Sequence, residues 1–217
     1  MVDTLGVATP EAAALMVSSA REWVGPEIPI HWHGHNDFGL GTAIALAAVR
    51  AGASWVQGTV NGMGERAGNA SLAEVALALE GLYGVETNLR FDRLRETADL
   101  VKERSGFELE PWKPLLGENL FRRESGAVAT QFHDPPSVEP YSSELVAAER
   151  GIVLGKKSGL DSIRIKAAEL GLSIDEEARP GLLARVKTLG TSKRGLVTDQ
   201  EFRDLAASAS VAERPAQ

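Results

Sequence analysis

The chain has 217 residues, of which 43% are hydrophobic and 24% are charged, a composition typical of a folded globular protein. Its net charge is −7 with no basic cluster, which argues against nucleic acid as a partner, and the absence of cysteine excludes disulfides and thiolate chemistry. No apolar run approaches the ~20 residues of a membrane span, and Asp3 and Glu11 interrupt any secretory signal. We therefore expect a soluble, cytoplasmic protein with no membrane partner.

Residues 1–86 alternate between helical and strand patterns. Thr9 and Pro10 predict the start of a first helix, since Thr is a favoured N-cap and Pro fits the first helical position. Residues 28–33 alternate apolar and polar side chains and predict a strand, and residues 55–60 predict another. This order indicates a parallel α/β fold. Two strands, or three if residues 1–2 end another, cannot close on themselves, so we expect an incomplete folding unit.

The rest of the chain has a different character. A capping box of Ser71 with Glu74 predicts a third helix that completes the first region. Residues 87–150 predict a charged helix and an irregular, proline-containing linker. Residues 151–208 predict a small helical subdomain, with a further capping box of Thr198 and Glu201. Residues 209–217 are expected to form a disordered tail.

The segment from His31 to Asp37 carries the strongest chemical signal. Three of the four histidines of the chain lie in it, at positions 31, 33 and 35. In a strand, His33 and His35 project to the same face, which suits two imidazoles that bind one divalent ion. The alternative is a polar strand end with surface histidines, and the spacing leaves both interpretations open.

A second segment, residues 61–69, follows the second predicted strand directly. Its glycines at positions 62, 64 and 68 indicate a tight loop. Glu65, Arg66 and Asn69 offer a carboxylate, a guanidinium and an amide oxygen. In a barrel this loop would lie at the carboxyl face, where barrel active sites are found. An ordinary polar turn would have the same composition.

Taken together, three segments resemble a known family. These are Asp3-Thr4-Leu5-Gly6 with Ala8-Thr9-Pro10, His33-x-His35-Asn36-Asp37 with Gly39, and Asn61-Gly62-x-Gly64-Glu65-Arg66-x-Gly68-Asn69. They resemble the last three strand ends of the metal-dependent TIM-barrel acyltransferases and lyases, which include isopropylmalate, homocitrate and citramalate synthases and 3-hydroxy-3-methylglutaryl-CoA lyase. Segments 117–126 and 154–159 are similar to the linker subdomains that follow those barrels. The resemblance implies an α/β fold, a partial TIM barrel followed by a mostly helical linker subdomain.

The resemblance also implies roles for individual residues. His33 and His35 would be metal ligands, with Asn69 as a further ligand, and the metal would be Zn, Mn, Mg or Co. Thr4 would lie near the carboxylate of the substrate. Glu65 and Arg66 would brace the loop and are candidate catalytic residues. The family's reaction joins acetyl-CoA to a 2-oxo acid, or runs the related cleavage, in amino-acid biosynthesis.

The sequence departs from the family pattern in several places. The motif Asp-x-x-Arg-Asp-Gly, whose first Asp is a metal ligand, does not occur in the chain, and with it about six of the eight strands are expected to be missing. Val128 stands where a catalytic histidine of the linker is usual, and Val138 where a tyrosine is usual, so His133 or Tyr141 could substitute. We do not expect regulation through an amino-acid-binding domain.

Three hypotheses account for this combination of motifs. In the first, the chain is one component of a synthase, and a partner chain supplies the early strands, the missing Asp and the Arg. In the second, it is a truncated fragment that is inactive alone. In the third, it is a non-catalytic module that binds a full-length homologue, or a second copy, through its linker. The sequence does not choose among them, nor does it choose the 2-oxo acid.

Overall fold

The computed structural model describes residues 1–126 and 137–212. Within them the chain forms two compact units. The first consists of residues 1–120 with 145–147, and the second of residues 121–144 with those from 148 onward. The sequence pattern predicted a first domain boundary at residue 86. In the structure the first compact unit continues to residue 120.

The first unit contains a parallel three-stranded sheet. Its strands β1 (Val2–Asp3), β2 (His31–Gly34) and β3 (Trp55–Gln57) lie in the order β1-β2-β3. Val2 pairs with His33 across the first interface, and His33 pairs with Gln57 across the second. Because all strands run in the same direction, the loops that follow them lie at one edge of the sheet. The predicted parallel α/β arrangement is confirmed, with strands shorter than the sequence pattern suggested.

Helices connect these strands and continue beyond them. The α-helices of this unit are α1 (Pro10–Val24), α2 (Gly41–Arg50), α3 (Leu72–Tyr83) and α4 (Leu94–Ser105), with 3-10 helices at Val60–Gly62 and Phe91–Arg93. The predicted start of α1 is confirmed, since the Thr9 hydroxyl accepts a hydrogen bond from the backbone N–H of Ala12 at 3.2 Å.

The predicted capping box at α3 is wrong. Ser71 precedes the helix, but its side chain makes no cap hydrogen bond. Glu74 instead turns towards other elements, where it accepts a hydrogen bond from Thr42 and pairs with Lys113. Contacts with distant segments have therefore displaced the local cap.

The alternation along β2 separates the core from the polar face of the sheet. Trp32 is fully buried and belongs to the same cluster as Val17 of α1 and Ile44 of α2. His31 and His33 occupy the alternate positions and point to the other face. Burial of the indole against the helices thus fixes which face the histidines occupy, because a shift of one residue would exchange the two sets.

The second unit is built around short strands and helices. Its elements are β4 (Arg122–Arg123), β5 (Gly151–Ile152), α5 (Leu160–Glu169), α6 (Arg179–Lys193) and α7 (Asp199–Ala212), with a 3-10 helix at Glu176–Ala178. A further 3-10 helix, Ser143–Val146, contains residues assigned to each unit. The strands β4 and β5 are parallel. Ile152, Leu182 and Phe202 are fully buried in its core. The predicted capping box at α7 is confirmed, since Glu201 N donates to Thr198 Oγ1 and Thr198 N donates to Glu201.

Two further predictions concern membrane-spanning segments and the C-terminal residues. Within residues 1–126 and 137–212, no helix has the length and apolar character needed to cross a bilayer. The last helix continues to Ala212, beyond residue 208 where the sequence pattern ended it. The last five residues of the predicted tail, 213–217, lie outside the described residues.

Replacing Trp32 by Ala should lower the free energy of unfolding by about 3–5 kcal/mol, because it leaves a large cavity between the sheet and its helices. Urea denaturation followed by circular dichroism measures this change. Trp23 is 80% exposed on α1 and provides the matched control, for which Trp23→Ala should change stability by less than about 0.5 kcal/mol. Equal effects of the two substitutions would contradict the assignment of Trp32 to the core.

Candidate functional site

The end of β2 brings two imidazoles together. The ring centroids of His33 and His35 are 5.2 Å apart, with the ring planes at 80° to one another. Gly34 between them permits the strand to pass close to the core, since a Cβ there would lie 3.0 Å from Trp32 Nε1. The two histidines thus lie on one face of the sheet, as the spacing predicted.

Asn69 lies beside this pair. It forms an isolated antiparallel bridge with His35, and the neighbouring Asn36 N donates to Gly68 O at 2.9 Å. The Asn69 side-chain nitrogen approaches Gly34 O at 3.4 Å, which directs the amide oxygen the other way. A Cβ at Gly64 would collide with that oxygen, so a side chain there would displace the Asn69 amide. The loop after β3 therefore sets the orientation of the Asn69 oxygen.

One buried nitrogen atom of this group lacks a hydrogen-bond partner. His35 is 9% exposed, and its Nδ1 is buried without a hydrogen-bond partner. A buried ring nitrogen without a partner costs free energy, and a ligand that orders or binds the imidazole would offset that cost. Together with the donor set of two imidazoles and an amide oxygen, this atom fits part of a divalent-metal site.

The carboxylates nearest this group are engaged elsewhere. Asp3 is buried, and its two oxygens accept hydrogen bonds from Val7 N at 3.1 Å and Ala8 N at 3.0 Å. Asp37 is paired with Arg66. Among residues 1–126 and 137–212, no three His, Cys, Asp or Glu side chains converge as a metal cluster would require. The candidate group itself thus consists of two imidazoles and an amide, and the two nearby carboxylates already have partners.

Arg66 joins the loops that follow all three strands. Its Nε donates to Asp37 Oδ1 at 2.8 Å, one terminal nitrogen donates to Asp37 Oδ2 at 3.1 Å, and the same nitrogen donates to Thr4 O at 2.7 Å. A planar guanidinium suits this fork, because its donors have fixed directions. Arg66 itself has a positive φ of 56°, an uncommon backbone conformation for a residue with a long side chain.

The same ion pair shifts the protonation of both partners. Hydrogen bonding from Arg66 lowers the pKa of Asp37 below its ordinary value, with a smaller contribution from the charge of Arg66. The hydrogen bond to Asp37 raises the pKa of Arg66 in turn. Asp37 is therefore a carboxylate, not a proton donor, throughout the neutral range.

The remaining candidates have different surroundings. Thr4 contributes its backbone oxygen to Arg66, and its side chain is exposed at the same edge. The side chain of Glu65 is 88% exposed, and its nearest cationic group is Arg66 at 4.0 Å. Tyr141 belongs to the second unit, where its ring lies 6.0 Å from that of Phe121. His133 lies outside the described residues.

Sequence reasoning missed the partners of this group. Asp37 was recognised within its motif, but the motif gave no indication that it pairs with Arg66. Lys113 carried no signal at all, since it lies in a segment without periodicity. The one signal that could have suggested the contact between Asp37 and Arg66 is the presence of opposite charges in the two motif segments.

The fold and the site define a parallel α/β unit with a candidate divalent-metal site at the carboxyl ends of its strands. Residues 1–101 match the model of the HMGL-like family. A homocitrate synthase of Methanopyrus kandleri is 44% identical over 204 residues, 94% of this chain and 51% of that protein. The 2-isopropylmalate synthase of Methanocaldococcus jannaschii is 39% identical over 204 residues, 92% of this chain and 39% of that protein. The predicted resemblance is confirmed by the HMGL-like match of residues 1–101 and by similarity to synthases of the expected kind.

A solved structure extends the comparison. An HMG-CoA lyase from Acenitobacter baumannii, in complex with coenzyme A and 3-methylmalate, gives a TM-score of 0.45 at 26% identity, over 49% of this chain and 36% of that chain. The chain spans about half of the Methanopyrus relative and less of the Methanocaldococcus one.

Replacing Asp37 by Asn should remove a stabilising contribution that depends on pH. Since Arg66 lowers the pKa of Asp37 in the folded state, the contribution is complete above the ordinary carboxyl pKa of about 3.9 and is lost as the pH falls through the lowered value. Denaturation curves at several pH values should show the wild type more stable than Asp37→Asn at pH 7, with a difference that shrinks below about pH 4. The exposed Glu27→Gln is the control, and a difference independent of pH would contradict the ion pair.

Proposed function

We propose that this chain forms part of a metal-dependent acyltransferase that condenses acetyl-CoA with a 2-oxo acid, and that its first unit is part of a TIM barrel. The single observation that carries the proposal is the convergence of His33, His35 and Asn69 at the strand ends of the family-matched residues. The names of the relatives, a homocitrate synthase and a 2-isopropylmalate synthase, support the reaction class.

In this proposal His33, His35 and Asn69 hold the metal. A bound divalent ion would act as a Lewis acid towards the carbonyl of the oxo acid. Thr4 presents its exposed hydroxyl at the same edge of the sheet, where it can donate to the substrate's carboxylate. Arg66 is committed to Asp37 and to Thr4 O, so its role is to position the loops and not to bind substrate. Glu65 is exposed and can accept a proton or orient a substrate donor at the rim.

The charge of the ligands sets a requirement on the rest of the site. Two neutral imidazoles and an amide leave the charge of a divalent cation without compensation, and both nearby carboxylates are occupied. Affinity from these three residues alone should be weak. We therefore include in the proposal a polypeptide that supplies an anionic ligand, together with the strands that continue the sheet.

Proton transfer belongs to the same proposal. His133 and Tyr141 are our candidates, because they lie near the position at which related synthases carry a histidine in the linker. The resemblance assigns that histidine to the neighbouring subunit, so we propose a homodimer through the linker. Each candidate provides a group that can donate or accept a proton.

Cobalt titration tests the metal site. Co²⁺ bound by histidine absorbs visible light, so its affinity for the chain can be measured directly. His33→Ala, His35→Ala and Asn69→Ala should each weaken Co²⁺ binding by about tenfold or more, because each removes one of three protein ligands.

His31 is the matched control for this titration. It lies on the same strand and the same face, where it stacks on Trp55 at 5.3 Å. His31→Ala should leave Co²⁺ affinity within about twofold of the wild type. If it weakens binding as much as His33→Ala does, the ion binds elsewhere and the proposed ligand set is wrong.

Reconstitution tests the reaction. The chain should be mixed or co-expressed with a polypeptide that carries the Asp-x-x-Arg-Asp-Gly motif, and supplied with acetyl-CoA, a 2-oxo acid and Mn²⁺ or Zn²⁺. Condensation followed by thioester hydrolysis releases the thiol of CoA, and this chain adds no background because it contains no cysteine. We expect thiol release that depends on the 2-oxo acid and is lost in His33→Ala and His35→Ala. Release at the same rate from the double variant would contradict the proposal, and binding to a complete homologue without activity would favour a regulatory module.

A further inference from the structure

A polar cavity lies on the inner side of the loop that carries Asn69. It has a volume of about 140 Å³, large enough for several water molecules. Asn61, Asn69 and Ser71 line it from the loop, and Glu74 and Lys113 line it from α3 and from the segment after α4. Arg66 ties this loop to Asp37 and Thr4 O, and the cavity group provides further contacts to it.

The centre of the group is a half-buried ion pair. Lys113 Nζ lies 3.0 Å from Glu74 Oε1, and the side chains are 19% and 18% exposed. Thr42 of α2 donates to the second oxygen of Glu74 at 2.8 Å. Both charges are therefore partly removed from water and depend on each other, which makes the loss of either one costly.

The ammonium group lies directly against the loop. A Cβ added at Gly62 would be 3.7 Å from Lys113 Nζ. Gly62 O in turn accepts the hydrogen bond of Asn69 N at 3.1 Å, and a Cβ at Gly68 would collide with that oxygen. A displacement of Gly62 would therefore also move the backbone of Asn69.

The backbone of Lys113 is itself fixed. Lys113 N donates to Glu110 O at 2.9 Å, and Gly117 N donates to Lys113 O at 2.8 Å. Gly117 permits this tight turn, since a Cβ there would lie 2.5 Å from Pro111 O. Arg95 of α4 also binds Leu116 O at 3.0 Å. A rigid turn therefore presents Lys113, which is what a positioning contact requires.

Some polar atoms of the loop lack partners on this side, although its backbone has hydrogen bonds of its own. Asn61 is buried with a positive φ of 63°, and its nitrogen donates to Ala98 O at 3.0 Å. Its Oδ1 and the hydroxyl of Ser71 are buried without partners. Such unsatisfied atoms lower the cost of an alternative loop conformation, so an external contact has to select the observed one.

From these contacts we propose that Lys113, held by Glu74, is a positioning residue for the metal ligand Asn69. This inference rests on the proposed metal site. The ammonium group packs beside Gly62, Gly62 O accepts the backbone hydrogen bond of Asn69, and Asn69 in turn pairs with His35 through its backbone. Residues that orient a ligand in this way change metal affinity by about 10–100-fold when they are removed.

The test compares Co²⁺ affinity across variants of the whole chain. Lys113→Met should weaken binding about tenfold, and Lys113→Arg should restore it to within about twofold of the wild type. Lys102→Met is the matched control, because Lys102 forms an exposed ion pair with Glu108 at 2.6 Å and does not line the cavity. It should leave affinity unchanged. Equal affinity of Lys113→Met and wild type, or an equal loss in Lys102→Met, would overturn the proposal.

Hydrogen exchange provides a second measurement that needs no metal. In Lys113→Met the backbone N–H of Asn69 should exchange at least about tenfold faster, whereas that of Val17 in the core should not change. A uniform increase at both amides would show general destabilisation and contradict a positioning role. If the wild type binds Co²⁺ no better than His33→Ala, the proposed metal site fails, and the exchange at Asn69 alone then decides whether Lys113 positions the loop.

Discussion

The ion pair between Arg66 and Asp37 is the constraint on which the candidate site depends. Three parallel strands end at one edge of the sheet, but their loops have few backbone bonds to one another beyond those at Asn36 and Ala70. One guanidinium contacts the loop after β1 through Thr4 and the loop after β2 through Asp37, while its own backbone belongs to the loop after β3. Because these contacts are directional, they fix the loops relative to one another, and the ligands with them.

The same ion pair also determines the charge available at the site. Asp37 neutralises Arg66, and Asp3 is occupied by the backbone of the following turn. Both carboxylates already have partners, and His33, His35 and Asn69 bring no negative charge of their own to a cation. The ligands of such a site are held in fixed positions but carry little negative charge. We therefore propose that another polypeptide supplies an anionic ligand. The half-buried pair of Lys113 and Glu74 supports the same loop from the opposite side.

Local patterns in the sequence predicted a large part of the fold. The alternation of Trp32 with the histidines predicted the polar face of β2, because side chains of a strand alternate regardless of context. Thr9 predicted the start of α1, and Thr198 predicted that of α7, since a cap involves only neighbours within one turn. The same reasoning failed at Ser71, where Glu74 had stronger partners in Thr42 and Lys113 than a local cap offers. Propensity is a weak preference that tertiary contacts override.

The sequence by itself determined the α/β class, the family resemblance and the common face of His33 and His35, because each depends on residues a few positions apart or on ordered motifs. Only the tertiary structure decided that the partners of Arg66 are Asp37 and Thr4 O, and that Lys113 lies next to the Asn69 loop. Those contacts join segments far apart in the chain, and many polar residues could have formed them equally well. The path of the backbone decides which of these residues come into contact, and burial makes it costly to leave a charge unpaired. Neither factor can be inferred from a short stretch of sequence.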